Sequence, residues 1–229
     1  WGVFLYTNQM SIIDQYQNIQ QELKKKLSSI SRNLNEVELI AVSKKQSTEK
    51  IIQLLDLGHR SFGENQIQEA ENKWPELKSR YDNVKLHFIG SIQSRKIKKI
   101  CTLCDAIHSI DREKIIKSIA EFKFDGLKIP ELFVQVNIGQ EQTKSGLLPN
   151  EVSDFIHLCK KKYNIEISGL MCLPPIDQDA KYFFEELNNL ANKNKINKLS
   201  MGMSNDYLQA IEAGSTHLRI GTSIFGNRV

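Results

Sequence analysis

Cysteine is too scarce in this chain to hold it together. Four thiols, Cys101, Cys104, Cys159 and Cys172, are spread over 229 residues. That excludes a disulfide scaffold and suits a reducing compartment. Cys101-Thr102-Leu103-Cys104 has the spacing of a metal or redox pair, but no second pair follows and no thioredoxin-like context surrounds it. His108, a candidate further ligand, falls inside the next apolar run, so both thiols read as small core residues. No apolar stretch approaches membrane-spanning length. Residues 1–9 carry neither a basic leader nor a small-residue cleavage site, so they do not read as a signal peptide. Met10-Ser11 has the look of a natural start, which makes residues 1–9 an added extension and 10–229 one domain. Charge of a single sign is lacking as well. Thirty-one Lys+Arg against 27 Asp+Glu leave only +4, and Lys24-Lys25-Lys26 and Lys160-Lys161-Lys162 read as solvated helix faces. Without a clustered basic stripe or recognition motif, nucleic acid is not an expected partner. The expected location is cytoplasmic.

What the chain does have is alternation. From Ile12 to Leu34, apolar residues recur in steps of three and four (Ile12, Ile13, Tyr16, Ile19, Leu23, Leu27, Ile30, Leu34), the pattern of one long amphipathic helix. Short β-favouring runs then alternate with helical patterns: 37–43, 60–64, 85–91, 106–110, 131–138, 165–173, 198–203 and 216–225. Ser47 or Thr48, Asn65 and Asp111 are placed to open helices. Eight such units, with no linker or low-complexity stretch between them, predict right-handed crossovers and a parallel sheet. A closed (β/α)8 TIM barrel preceded by an extra helix accounts for the length better than an open eight-stranded sheet, the rival topology.

The run Val37-Glu38-Leu39-Ile40-Ala41-Val42-Ser43-Lys44 ends a buried strand on a lysine. In parallel α/β proteins that end of a strand faces ligands, and an amine stripped of water there can attack a carbonyl. The alternative is a lysine marking the solvent end of a strand. Two late segments offer an anion site: Ser200-Met201-Gly202-Met203-Ser204-Asn205-Asp206 and Arg219-Ile220-Gly221-Thr222. Barrel loops after strands seven and eight often bind phosphate with backbone N–H groups. Gly202 and Gly221 permit close approach, and Ser204 and Thr222 add hydroxyls. An amine for a carbonyl opposite an amide cup for a phosphate is what pyridoxal phosphate requires. Lys144, after strand five on the same mouth, is either a second cofactor contact or relay, or a solvated loop lysine.

Ala41-Val42-Ser43-Lys44, Phe62-Gly63-Glu64-Asn65, His87-Phe88-Ile89-Gly90, Gly169-Leu170-Met171, Ser200-Met201-Gly202-Met203-Ser204 and Arg219-Ile220-Gly221-Thr222-x-Ile224-Phe225-Gly226 stand in the order and spacing of the pyridoxal phosphate homeostasis proteins. The resemblance covers essentially everything from Met10 onward. That family is similar in fold to the barrel domain of alanine racemase. The resemblance implies an intracellular vitamin B6 carrier, not an enzyme, with the cofactor held as a Schiff base on Lys44. It implies that Ser204, Gly221 and Thr222 hold the phosphate, that Arg219 faces the pyridine nitrogen, and that Asn65 and Met171 line the ring's surroundings. Apo pyridoxal-phosphate enzymes are the implied acceptors. The sequence ends at Asn227-Arg228-Val229, without the lysine-bearing tail of some relatives. A guanidinium at the ring nitrogen cannot accept a proton, which makes the ring a weaker electron sink. No second β domain and no segment able to supply a tyrosine base are evident in the sequence. The alternatives are a pyridoxal-phosphate racemase or lyase, a sugar-phosphate isomerase or aldolase using Lys44, and an inert barrel kept as an interaction protein. Short helices without a long apolar patch predict a monomer.

Overall fold

The computed structural model describes residues 10–226, so the extension expected at 1–9 and the chain end at 227–229 lie outside the described residues. Eight parallel strands close into one barrel in sequence order. They are β1 (Glu38–Val42), β2 (Ser61–Glu64), β3 (Lys85–Phe88), β4 (Ala106–Ile110), β5 (Glu131–Val136), β6 (Gly169–Cys172), β7 (Lys198–Ser200) and β8 (His217–Ile220). The helices are α1 (Ile12–Ser29), α2 (Thr48–Asp56), α3 (Ile67–Arg80), α4 (Ile97–Leu103), α5 (Glu113–Phe124), α6 (Val152–Tyr163), α7 (Ala180–Lys193), α8 (Tyr207–Glu212) and α9 (Thr222–Phe225). Pairing of β1 with β8, Ile40 opposite Arg219, closes the ring and eliminates the open sheet.

Several boundaries differ from the sequence expectation for local reasons. α1 stops at Ser29 instead of Leu34 because the main chain at Arg32 turns back to Leu27 O at 2.9 Å. The Arg32 guanidinium then grips the carbonyls of Ile211 and Ser215, each at 2.9 Å. The expected eighth strand ends at Ile220, not Phe225. Gly221 O accepts the N–H groups of Ile224 (3.0 Å) and Phe225 (2.9 Å), winding two β-favouring residues into one helical turn. Asn65 and Asp111 do not cap: Gln66 and Arg112 hold those positions, and Asp111 instead pairs with the Arg112 side chain at 2.5 Å. The clearest fit is β4, observed over the residues expected.

Side chains facing out from the strands, such as Leu39, Phe62, Leu86, Ile107, Val134 and Leu218, form the main core with the helices. α1 buries Ile19, Leu23 and Leu27 and packs against α2, α8 and α9, completing the outer ring where α9 is a single turn. The inside of the barrel is different. Such interiors are usually filled with branched apolar side chains. Here a small cluster of Ala106, Phe133 and Met171 shares the space with buried His87, His108, Ser200, His217 and Arg219. Polar groups so placed are costly unless bonded; here Arg219, Ser200, His108 and His87 are bonded in a row, and His217 meets Thr216 and Glu38.

Candidate functional site at the C-terminal mouth

β1 is buried from Leu39 to Val42, Ser43 is fully buried, and Lys44 emerges half-buried just beyond. The main chain on both sides of Lys44 is pinned. Ser43 donates its hydroxyl to Glu64 Oε1 at 2.8 Å, and Lys73 Nζ donates to Ser43 O at 3.1 Å. On the other side, the amide of Lys45, at a left-handed φ of 59°, donates to Glu69 Oε1 at 2.6 Å. Lys73 also pairs with Glu64 at 2.8 Å, and Trp74 Nε1 donates to the same carboxylate at 3.2 Å. Burial pushes the Glu64 carboxyl above the usual range, against the lowering pull of Lys73. Sequence reasoning missed this buried pair. The signal was a glutamate at the end of a four-residue strand whose every position is buried.

Gly221 stands on the same end of the barrel as Lys44. A Cβ on Gly221 would lie 3.3 Å from Val42 Cβ and 3.4 Å from Val42 O, so the ends of β8 and β1 lie against one another. Gly202, at φ +94°, is packed so closely that a Cβ there would meet Ala210 Cβ at 2.6 Å. Ser204 Oγ accepts the N–H of Ser223 at 3.2 Å, tying the loop after β7 to the first turn of α9. Thr222 opens that turn and is exposed.

Arg219 points into the barrel below this rim and is 4% exposed. It donates to Ser200 Oγ at 2.7 Å and to Cys172 O at 2.8 Å. Burial lowers its pKa from the ordinary arginine value, opposed by Cys172 and Asp206; a guanidinium nonetheless stays cationic. Met171 is buried against Ala106 and Phe133 inside the barrel, part of its packed interior. Asn65 is half-buried at the start of the loop after β2. A Cβ on Gly90 would fall 2.0 Å from Asn65 O, so the loops after β2 and β3 touch main chain to main chain. Lys144 is tethered: it pairs with Glu141 at 2.6 Å and reaches Pro174 O at 3.4 Å. It lines a cavity of about 240 Å³ with Ser91, Gln135, Asn137, Thr143 and Leu173.

The mouth therefore joins an amine, hydroxyls, main-chain N–H groups and glycines that let backbones close in, with a guanidinium beneath. That donor set fits an anion carrying a carbonyl group. The four cysteines are free and buried, and no cluster of potential metal ligands occurs among the described residues. No helix among the described residues is long and apolar enough to cross a membrane.

The family model for the alanine racemase N-terminal domain matches residues 20–229. A pyridoxal phosphate homeostasis protein of Vibrio alginolyticus is 36% identical over 228 residues, covering 95% of this chain and 98% of that protein. One from Schizosaccharomyces pombe is 37% identical over 214 residues, covering 86% of this chain and 87% of that protein. The solved structure of PipY from Synechococcus elongatus with PLP bound is similar at 28% identity and a TM-score of 0.76, over 89% of this chain and 100% of that one. An alanine racemase of Clostridium difficile shares the fold alone, at 16% identity and a TM-score of 0.70, over 93% of this chain and 57% of that one.

Proposed function

This chain belongs to the pyridoxal phosphate homeostasis proteins, and from that premise we propose that it binds pyridoxal phosphate at the C-terminal mouth and carries it within the cell without catalytic turnover. The observation that carries the reading is the meeting of Val42 and Gly221, which sets the lysine after β1 and the glycine turn after β8 on one rim. When bound, pyridoxal phosphate supplies an aldehyde that an amine can attack and a ring that withdraws electrons. Lys44 provides the amine, on a main chain anchored through Ser43 and Lys45. Ser204, Gly221 and Thr222 hold the phosphate with hydroxyl and main-chain donors. Arg219 offers donors and no acceptor to the ring nitrogen, so it places no proton there and the ring is left a weak electron sink. Asn65 and Met171 border the ring's surroundings.

A carrier of this kind works in the cytoplasm as a monomer and delivers to apo enzymes. Four free thiols and the scattered distribution of exposed apolar side chains support that setting. Absorption spectroscopy of the purified protein, followed by borohydride reduction, tests the reading. A coloured protein that reduction locks to its cofactor, and a Lys44→Ala variant that does neither, are the expected results. A colourless wild type that takes up no added pyridoxal phosphate refutes it. Steady consumption or inversion of an amino acid would instead make the protein a racemase or lyase.

A further inference from the structure

The buried polar groups inside the barrel form one continuous line. Arg219 Nη1 donates to Ser200 Oγ at 2.7 Å, and Ser200 Oγ lies 2.7 Å from His108 Nδ1. His108 Nε2 lies 2.9 Å from His87 Nδ1. His87 Nε2 is 3.0 Å from Ser61 Oγ and 3.3 Å from Glu38 Oε1. Arg219 is at the cofactor mouth, whereas Glu38, a quarter exposed, borders a cavity of about 350 Å³ at the opposite end, with Tyr16, His59, Arg60 and Lys85.

Hydrogen-bond chemistry gives this line a direction. Arg219 can only donate and the Glu38 carboxylate can only accept, and between them the direction we assign has the Ser200 oxygen accepting from Arg219 and its hydroxyl proton going to His108 Nδ1. A neutral His108 then carries its proton on Nε2 and donates to His87 Nδ1. His87, accepting at Nδ1, in turn donates from Nε2 towards Glu38 and Ser61 Oγ. With this direction no donor faces a donor: both His108 nitrogens and His87 Nδ1 meet one partner each, and His87 Nε2 faces Ser61 Oγ and Glu38. The His108 ring is also fixed in plane by stacking on Phe133, with centroids 4.2 Å apart and planes 6° apart. Burial, with His87, His217 and Arg219 nearby, holds His108 well below its ordinary pKa. Among the described residues Arg219 hydrogen-bonds to neutral groups, the Ser200 hydroxyl and the Cys172 carbonyl, with Asp206 acting on it through charge, while the carboxylate at the end of the line stands at the far end of the barrel.

We propose that Ser200, His108, His87 and Glu38 are positioning residues for the cofactor site: their one-way relay holds the Arg219 guanidinium in place and links its charge to the Glu38 carboxylate at the opposite end of the barrel. The assignment of purpose rests on the proposed binding of pyridoxal phosphate; the relay itself does not. Nitrogen-15 NMR of the cofactor-free protein reads the tautomers directly. From the hydrogen-bond pattern, His87 and His108 are each expected with a proton on Nε2 and none on Nδ1. Ser200→Ala removes one hydroxyl and disturbs packing little. It should release His108 from that single tautomer, shift the absorption maximum of bound cofactor and speed cofactor release about tenfold or more, the range for a bond to a charged group. Glu38→Ala, at the other end, should also speed release. A Nδ1–H or doubly protonated ring in the wild type, or Ser200→Ala with unchanged spectrum and release, overturns the relay. Variants that lose only thermal stability, with spectrum and tautomers unmoved, reduce these residues to packing. A wild type that binds no cofactor while showing both Nε2–H rings sinks the binding reading and the positioning role, and leaves a structural line of hydrogen bonds.

Discussion

Removing Lys73 should expose how the strand end beneath Lys44 is held. Its amine is 2.8 Å from Glu64 Oε1 and 3.1 Å from Ser43 O, with Lys73 10% and Glu64 0% exposed at the side chain. Lys73→Met leaves Glu64 with Ser43 and Trp74 as donors and with Oε2, already without a hydrogen-bond partner, still buried. Breaking a buried pair from one side costs about 3–5 kcal/mol. For a chain of this size that corresponds to a Tm lower by roughly 6–20 °C. The loss must depend on pH. Burial already raises the Glu64 pKa in the folded state, and losing Lys73 raises it further. A carboxyl with a raised folded pKa is favoured protonated, so stability falls as pH rises from the unfolded glutamate value, about 4.3, through the folded one. Thermal unfolding followed by circular dichroism should therefore show a wide gap between wild type and variant at mildly alkaline pH and a narrower one in mild acid. Adding Glu64→Gln should recover much of the loss, because the buried charge is gone. An equal gap at both pH values, or no recovery in the double variant, would refute the account.

Glu38 predicts the opposite slope. Burial works to raise its pKa, but hydrogen bonds from His87 and Ser61 bring it well below the usual range. Its stabilisation is present above the unfolded value, about 4.3, and is lost as pH falls below it. Glu38→Gln should thus cost about 1–3 kcal/mol at neutral pH by urea unfolding, with the difference vanishing in acid. Gly202→Ala places a Cβ 2.6 Å from Ala210 Cβ and 2.9 Å from Leu218 Cδ2 at φ +94°. A loss of at least about 2 kcal/mol is expected from overpacking and left-handed strain together. Gly58→Ala, at φ +87° with open space around it, should lose only the conformational part, about 1–2 kcal/mol. Burial pushes Cys101, Cys104, Cys159 and Cys172 each up to about 12. A thiol reagent should leave the native protein unmodified and label all four after denaturation.

The barrel was legible because outward-facing strand residues and helix stripes carry simple apolar periods, and those packing rules are local. Lys44 and the Gly221 turn were legible for a related reason: residues just past a parallel strand must share one rim, and Val42 against Gly221 bears this out. The ends of elements were not. Whether Ile224 and Phe225 extend a strand or wind into a turn depends on the Gly221 carbonyl, and whether α1 continues past Ser29 depends on Arg32 reaching two carbonyls near α8. The barrel's polar interior was least visible. His87 and His108 sit in apolar runs and give no sign, one strand at a time, that Ser200 and Glu38 from distant parts of the chain will meet them.

The hydrogen-bonded seam between β1 and β8 ties the first strand of the barrel to the eighth. On the proposed reading the amine follows the first of these strands and the anion cup the last, so α/β pieces folded from the early part of the chain would carry one without the other. Removing β8 is therefore expected to abolish cofactor uptake even where much of the remaining chain still collapses.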